Sequence, residues 1–204
     1  MHISEGVLSA PVLVTGAALT AVGVAVGLRK MDSEKVPLVG VLSSAFFVAS
    51  LIHVPVGPSA VHLVLNGLLG LLLGWTAFPA ILVGLALQGV LFQFGGLTTL
   101  GINTFNMAMP AVCCYYLFAR TIAHKPSGLA VGLAFACGFL AIFLSAILVA
   151  LSLLFTGESF LAAAQVLVVA HLPVMFIEGV VSAFCLGFLK KVKPEILQVT
   201  HASG

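Results

Sequence analysis

Long apolar runs, cut at intervals by proline, glycine and small charged clusters, set the layout of this 204-residue chain. Several runs reach roughly 17 residues or more, close to what a helix needs to cross a hydrocarbon layer. Seven spans are predicted: about Ala10 to Leu28, Val36 to Ile52, Ser59 to Trp75, Pro79 to Phe94, Asn103 to Ala119, Gly128 to Phe155 and Leu172 to Leu189. The first opens on Ser9 and Pro11, a good cap and a good first-turn residue. Its end is marked by Arg29, Lys30 and Lys35. His53-Val54-Pro55-Val56-Gly57-Pro58 interrupts the run before the third span, and Gly95 to Gly101 is too glycine-rich to continue the fourth. Thr156-Gly157-Glu158 breaks the sixth, and Phe160 to Ala170 reads as partly interfacial. The sixth span is long enough to tilt. Within a bilayer, helices satisfy their own backbone groups, so the expected fold is all-α: a polytopic transmembrane bundle of about seven helices forming one domain, 1–204.

Composition agrees with that pattern. The chain is 61% hydrophobic and 7% charged, against about 25% charged in soluble domains. With seven spans, Arg29, Lys30, Lys35, Arg120, Lys125, Lys190, Lys191 and Lys193 all fall on one side. By the positive-inside rule that side is cytoplasmic, with the amino terminus outside and the carboxyl terminus inside. Basic residues follow the first apolar segment instead of preceding it, unlike a secretory signal. Pairs such as Gly23/Gly27 and Gly70/Gly74 predict ordinary close helix packing. Cys113, Cys114, Cys137 and Cys185 lie in apolar segments without a CxxC pair and read as small buried hydrophobes.

Candidate chemistry begins at the first two residues. A free α-amine on Met1, the His2 amide nitrogen and the His2 Nδ1 can close one five-membered and one six-membered ring around a metal ion. That set is planar and suits Ni(II) or Cu(II), with Co(II) a third choice. It lacks one donor. His62, placed on the same side by the topology, would complete a plane of four nitrogens. The segment 1–9 must then fold back into the bundle, which Ile3, Val7 and Leu8 around Gly6 permit.

Met-His-Ile-x-Glu-Gly at the start, Val-Gly-Pro-Ser-Ala-Val-His ending at His62, and Gly-Gly-Leu-Thr-Thr-Leu-Gly-Ile-Asn-Thr-Phe-Asn-Met-Ala resemble the CbiM/NikM family along essentially the whole chain. These are substrate-specific membrane components of energy-coupling-factor (ECF) cobalt and nickel importers. The resemblance implies an amino terminus inserted into the bundle, with metal bound through Met1, His2 and His62. It also implies support for those ligands from Asn103 and Asn106. His53, at the membrane edge, is a more distant candidate. His171 and Glu178, seven residues apart, share a helix face with Glu178 about 10 Å deeper. Glu178 is either a carboxylate packed against a neighbouring helix or partner, or an anion that balances the metal or orients a histidine.

No GxxxxGK[ST], HExxH or nucleophile elbow is present, so the chain is expected to be neither an ATPase nor an enzyme. Nucleic-acid binding is not expected from so few basic residues. The expected function is metal capture in a bacterial or archaeal cell membrane, with Ni2+ or Co2+ as transported ligand and no catalytic cofactor. The resemblance implies a transmembrane coupling (T) subunit and ATPase subunits as partners, with a small accessory membrane subunit a further one. The alternative is a stand-alone secondary transporter or channel, for which Glu178 and His62 would make a thin ion relay.

Overall fold

The computed structural model describes residues 2–51, 53–56 and 59–199, with side chains outside 53–61 and 198–199. The elements in chain order are α1 (Ala10–Arg29), α2 (Val36–Ala49), β1 (His53–Val56), β2 (Ser59–His62), α3 (Asn66–Leu73), α4 (Ala77–Phe92), α5 (Leu100–Cys114), α6 (Arg120–His124), α7 (Ser127–Leu154), α8 (Leu161–Ala170), α9 (Leu172–Val192) and α10 (Glu195–Val199). A π-type turn over Tyr115–Ala119 joins α5 to α6, and α8 meets α9 at His171. Counted this way, α1, α2, α3, α4, α5–α6, α7 and α8–α9 are the seven columns of the bundle among the described residues. By length and composition alone, four described stretches could cross a membrane: Ala10–Arg29, Asn66–Phe92, Ser127–Thr156 and Glu158–Val192.

The bundle turns small residues inward and large apolar ones outward, as a lipid-facing surface allows. On α1 the buried positions are Gly16, Thr20, Gly23 and Gly27, while Val14 and Val22 are exposed. A Cβ at Gly16 would lie 2.5 Å from that of Ile102 on α5, and one at Gly101 would lie 2.6 Å from the Cα of Ala17. Thr20 Oγ1 donates to the Gly101 carbonyl at 2.6 Å between them. Farther along, Gly23 leaves room for the Phe78 ring and Gly27 for the Trp75 carbonyl and Pro79. Helix α5 is central, packing against α1, α3, α4 and α7.

The predicted third span departs from expectation. Residues 59–62 are not helical but pair antiparallel with 53–56, in the register His53↔His62 and Val56↔Ser59. Leu65 then takes a left-handed conformation, φ 57°, and helix begins only at Asn66. Helix α3 is thus eight residues long, about 12 Å at 1.5 Å per residue. A run such as Val61 to Leu73, apolar but for His62 and Asn66, is consistent with a membrane helix or with buried extended chain. Extended chain survives at this depth only if its backbone groups find partners inside the protein.

The two ends of the bundle differ in chemistry. At one end Lys190 Nζ donates to the carbonyls of Ile122 and Lys125, and a cavity brings Asp32 and Lys35 to Lys193 and Glu195. At the other end lie residues 2–9, the loop 93–99 and Thr156, whose Oγ1 accepts from Ser9 N–H at 3.2 Å.

Candidate metal centre

Three non-helical pieces meet at the end away from the lysines: residues 2–9, the stretch 59–65 and the loop Gln93–Thr99. Ile3 is fully buried. A buried strand-like segment needs partners for its N–H and C=O, and Asn103 on α5 supplies both. Its Oδ1 accepts from Ile3 N–H at 3.0 Å, and its Nδ2 donates to Ile3 C=O at 3.1 Å and to Thr99 Oγ1 at 3.2 Å. Two residues on, Glu5 N–H donates to the Gly95 carbonyl at 3.2 Å. Glu5 Oε1 accepts from Thr98 N–H at 3.0 Å. The carboxylate lies across Gly96, where any Cβ would overlap it. Gly95, at φ 79°, sits against His2: a Cβ there would be 3.5 Å from His2 Cβ and 3.1 Å from Asn103 Nδ2. The glycine loop is thus the floor on which the inward-folded start of the chain rests.

The same fold brings His2 and His62 together. Both side chains are buried, and their rings stack at 4.6 Å between centroids with 22° between planes. Phe94 flanks His2 at 6.4 Å. His62 Nδ1 is 2.7 Å from the Leu63 carbonyl. A carbonyl only accepts, so Nδ1 carries the proton and Nε2 presents its lone pair. That buried Nε2 has no hydrogen-bond partner among the described residues. A neutral imidazole with a bare, buried Nε2 is the state a metal ligand requires.

The remaining candidate residues fall in different places. His171 is wholly buried at the α8–α9 junction, its Nδ1 2.7 Å from the Leu167 carbonyl. Its Nε2 also has no partner among the described residues. Glu178, on α9, reaches the backbone just after His62. Its Oε1 accepts from Val64 N–H and from Leu65 N–H at 2.9 Å, and its Oε2 lies 3.0 Å from the same Leu65 nitrogen. Asn106 points elsewhere: its Nδ2 donates to Ser152 Oγ at 3.1 Å, on the wall of an apolar groove between α1, α5 and α7. Met1 and the side chain of His53 lie outside the described residues.

Sequence reasoning did not identify Phe94, the Leu63 carbonyl that sets the His62 tautomer, or the Glu5–Thr98 contact. Glu5 was visible only as part of the opening motif, and nothing in its spacing paired it with Thr98.

Known proteins resemble this chain over its length. Residues 2–196 match the family model described as cobalt uptake substrate-specific transmembrane region. A metal transport protein of Haemophilus influenzae is 42% identical, covering 98% of each chain. A fused nickel transport protein NikMN of Archaeoglobus fulgidus is 27% identical over all of this chain and 70% of the relative. Among solved structures, a transition metal transporter superposes with a TM-score of 0.81 at 26% identity, over 99% of both chains.

Proposed function

Because the chain belongs to the family of cobalt uptake substrate-specific transmembrane regions, we propose that it is the metal-capturing subunit of an ECF-type Ni2+ or Co2+ importer. The observation that carries this reading is the stacked, buried His2–His62 pair, held by a start of chain folded into the bundle. Hydrated metal arrives from outside and sheds water. It is gripped by the Met1 amine, the His2 amide and Nδ1, and His62 Nε2. Four nitrogens in one plane favour a late divalent ion over hard cations such as Mg2+.

Capture at this end and release at the lysine-rich end require the orientation given by the basic residues, amino terminus outside and carboxyl terminus inside. Movement against a gradient needs energy that this chain, without a P-loop, does not supply. ATPase subunits and a transmembrane coupling subunit provide it in this reading, in the cell membrane of a bacterium or archaeon. A small accessory membrane subunit completes the set of partners.

The test is elemental analysis of purified protein, native against a chain with three extra residues before Met1, since a single one would place His2 third and build a new planar site from its amine, two amides and the imidazole. The three extra residues convert the chelating amine into an amide and carry the new amine away from the ring. The native chain is expected to hold one Ni2+ or Co2+ and the extended chain none. Full occupancy in the extended protein would overturn the ligand set. Uptake into vesicles holding this chain alone would assign it the whole transport cycle instead.

A further inference from the structure

Helix α3 starts inside the protein, below a left-handed residue, and its first turn faces the cost that every buried helix start faces. The N–H groups there have no partner within their own helix. The cap position is Leu65, which has no polar side chain, Asn66 turns its amide to Met107 and Ser145, and no side-chain cap bond is made. The carboxylate that meets Val64 N–H and Leu65 N–H comes from Glu178, more than a hundred residues away and fully buried on another helix. It also sits where the positive end of the α3 dipole falls.

We infer that Glu178 is a positioning residue for metal capture: by holding the Val64–Leu65 turn it aims His62 at the metal, and it ties that aim to the seating of α9 against α7. The inference rests on the metal reading above and deepens it. His62 and Leu65 are three residues apart, and His62 is further fixed by the Leu63 carbonyl, so the turn and the imidazole move as one piece. Leu65 at φ 57° is in a left-handed conformation that a leucine side chain disfavours. It persists because the bonds to Glu178 over-determine it. The other end of the link is Gly138 on α7. A Cβ there would lie 2.5 Å from the Glu178 carbonyl and 2.5 Å from Ser182 Oγ. The absence of a side chain at Gly138 therefore sets how deep Glu178 sits. The carboxylate is accounted for by these backbone bonds, without a direct role in ligating the ion.

The experiment measures Ni2+ affinity of the full chain in detergent, with the visible spectrum of the Ni2+-loaded protein and the melting of the metal-free protein. Three variants are compared: Glu178→Gln, Gly138→Ala and, as a control, Gly132→Ala, where a Cβ meets nothing within 4 Å. Glutamine is the same shape but turns charge-assisted bonds into neutral ones, and it sets an amide N–H against Leu65 N–H. Glu178→Gln is expected to weaken Ni2+ by about 10–100-fold, as removal of a ligand's support does elsewhere, and to shift the spectrum away from planar coordination. Gly138→Ala keeps the carboxylate but pushes α9 outward, and is expected to move affinity and spectrum in the same direction. Gly132→Ala should match the native chain. A purely structural Glu178 would lower melting while the molecules that remain folded bind Ni2+ with native affinity and spectrum; that result overturns the inference. If Glu178→Gln fails to fold, Gly138→Ala decides: native affinity and spectrum there overturn it as well. A native chain that binds neither Ni2+ nor Co2+ would instead refute the metal reading itself.

Discussion

Two kinds of packing coexist in this molecule. The α1–α5 and α1–α4 contacts are made by absent side chains: Gly16, Gly23, Gly27 and Gly101 let backbone or ring approach backbone, with Thr20 as the polar exception. The His2–His62 end is made by polar side chains reaching irregular backbone, two of them from the helices α5 and α9 and the third, Glu5, from an irregular segment itself. Asn103 serves Ile3, Glu178 serves Val64 and Leu65, and Glu5 serves Thr98. Helices carry their own hydrogen bonds into an apolar setting, so their contacts need only shape. Segments 2–5 and 59–65 do not, so each requires a polar partner.

The largest effect that separates the two regions is proton competition. If the Met1 amine and His2 amide are ligands, capturing one metal near neutrality releases two protons, the amine having a reference pKa of about 7.7–8.0. His62 keeps its Nδ1 proton on the Leu63 carbonyl and offers Nε2 as a lone pair, so it adds none. Ni2+ affinity is expected to fall about 100-fold between pH 7 and pH 6. Calorimetry at the two pH values reads it. A slope of three protons would mean that one of the two imidazoles titrates in this window, and a flat profile would remove the terminus from the site. The glycine contacts hold no titrating group and should be indifferent.

Next in size is Asn103→Leu. It leaves both the N–H and the C=O of a fully buried Ile3 without their partners, each costing about 1–3 kcal/mol. The prediction is at least a tenfold loss of Ni2+ affinity with helix content by circular dichroism unchanged. Gly27→Ala is the mirror image at the far end, where a Cβ would lie 2.6 Å from the Trp75 carbonyl and 2.7 Å from Pro79 Cδ. It should lower stability by about 1–3 kcal/mol and leave the affinity of folded molecules unchanged. If Gly27→Ala weakened metal as much as Asn103→Leu, the two regions would not be separable.

The contrast also explains what was legible beforehand. Hydropathy located the apolar columns, because a helix crossing an apolar medium answers to its own composition. Gly23 and Gly27 read correctly as packing residues for the same reason. Helix start at Ser59 was the reading that failed, since only His62 and Asn66 interrupt the apolar run from Val61 to Leu73 and the deciding carboxylate, Glu178, comes from a different helix. Asn103 was reached through a motif shared with relatives, not through any spacing that tied it to Ile3. His62 was reached by topology, but its tautomer depends on a single carbonyl, Leu63, which no pattern announces.

The smallest predicted effect probes how firmly the terminal segment is latched. Glu5 is exposed, yet its Oε1 is shared by Thr98 N–H at 3.0 Å and Thr98 Oγ1 at 3.4 Å, just ahead of the first turn of α5. A carboxylate there gains from the helix dipole as well as from the bonds. Glu5→Gln keeps an acceptor but loses the charge, and solvent screens much of what is lost, so release of Ni2+ should quicken only about two- to fivefold. Stopped-flow chase with a chelator measures it. Because the interaction is partly ionic, raising salt should speed release from the native chain toward that of the variant and leave the variant itself almost unmoved. Equal salt response in both would mean that Glu5 latches through shape alone, as the glycine contacts of α1 do.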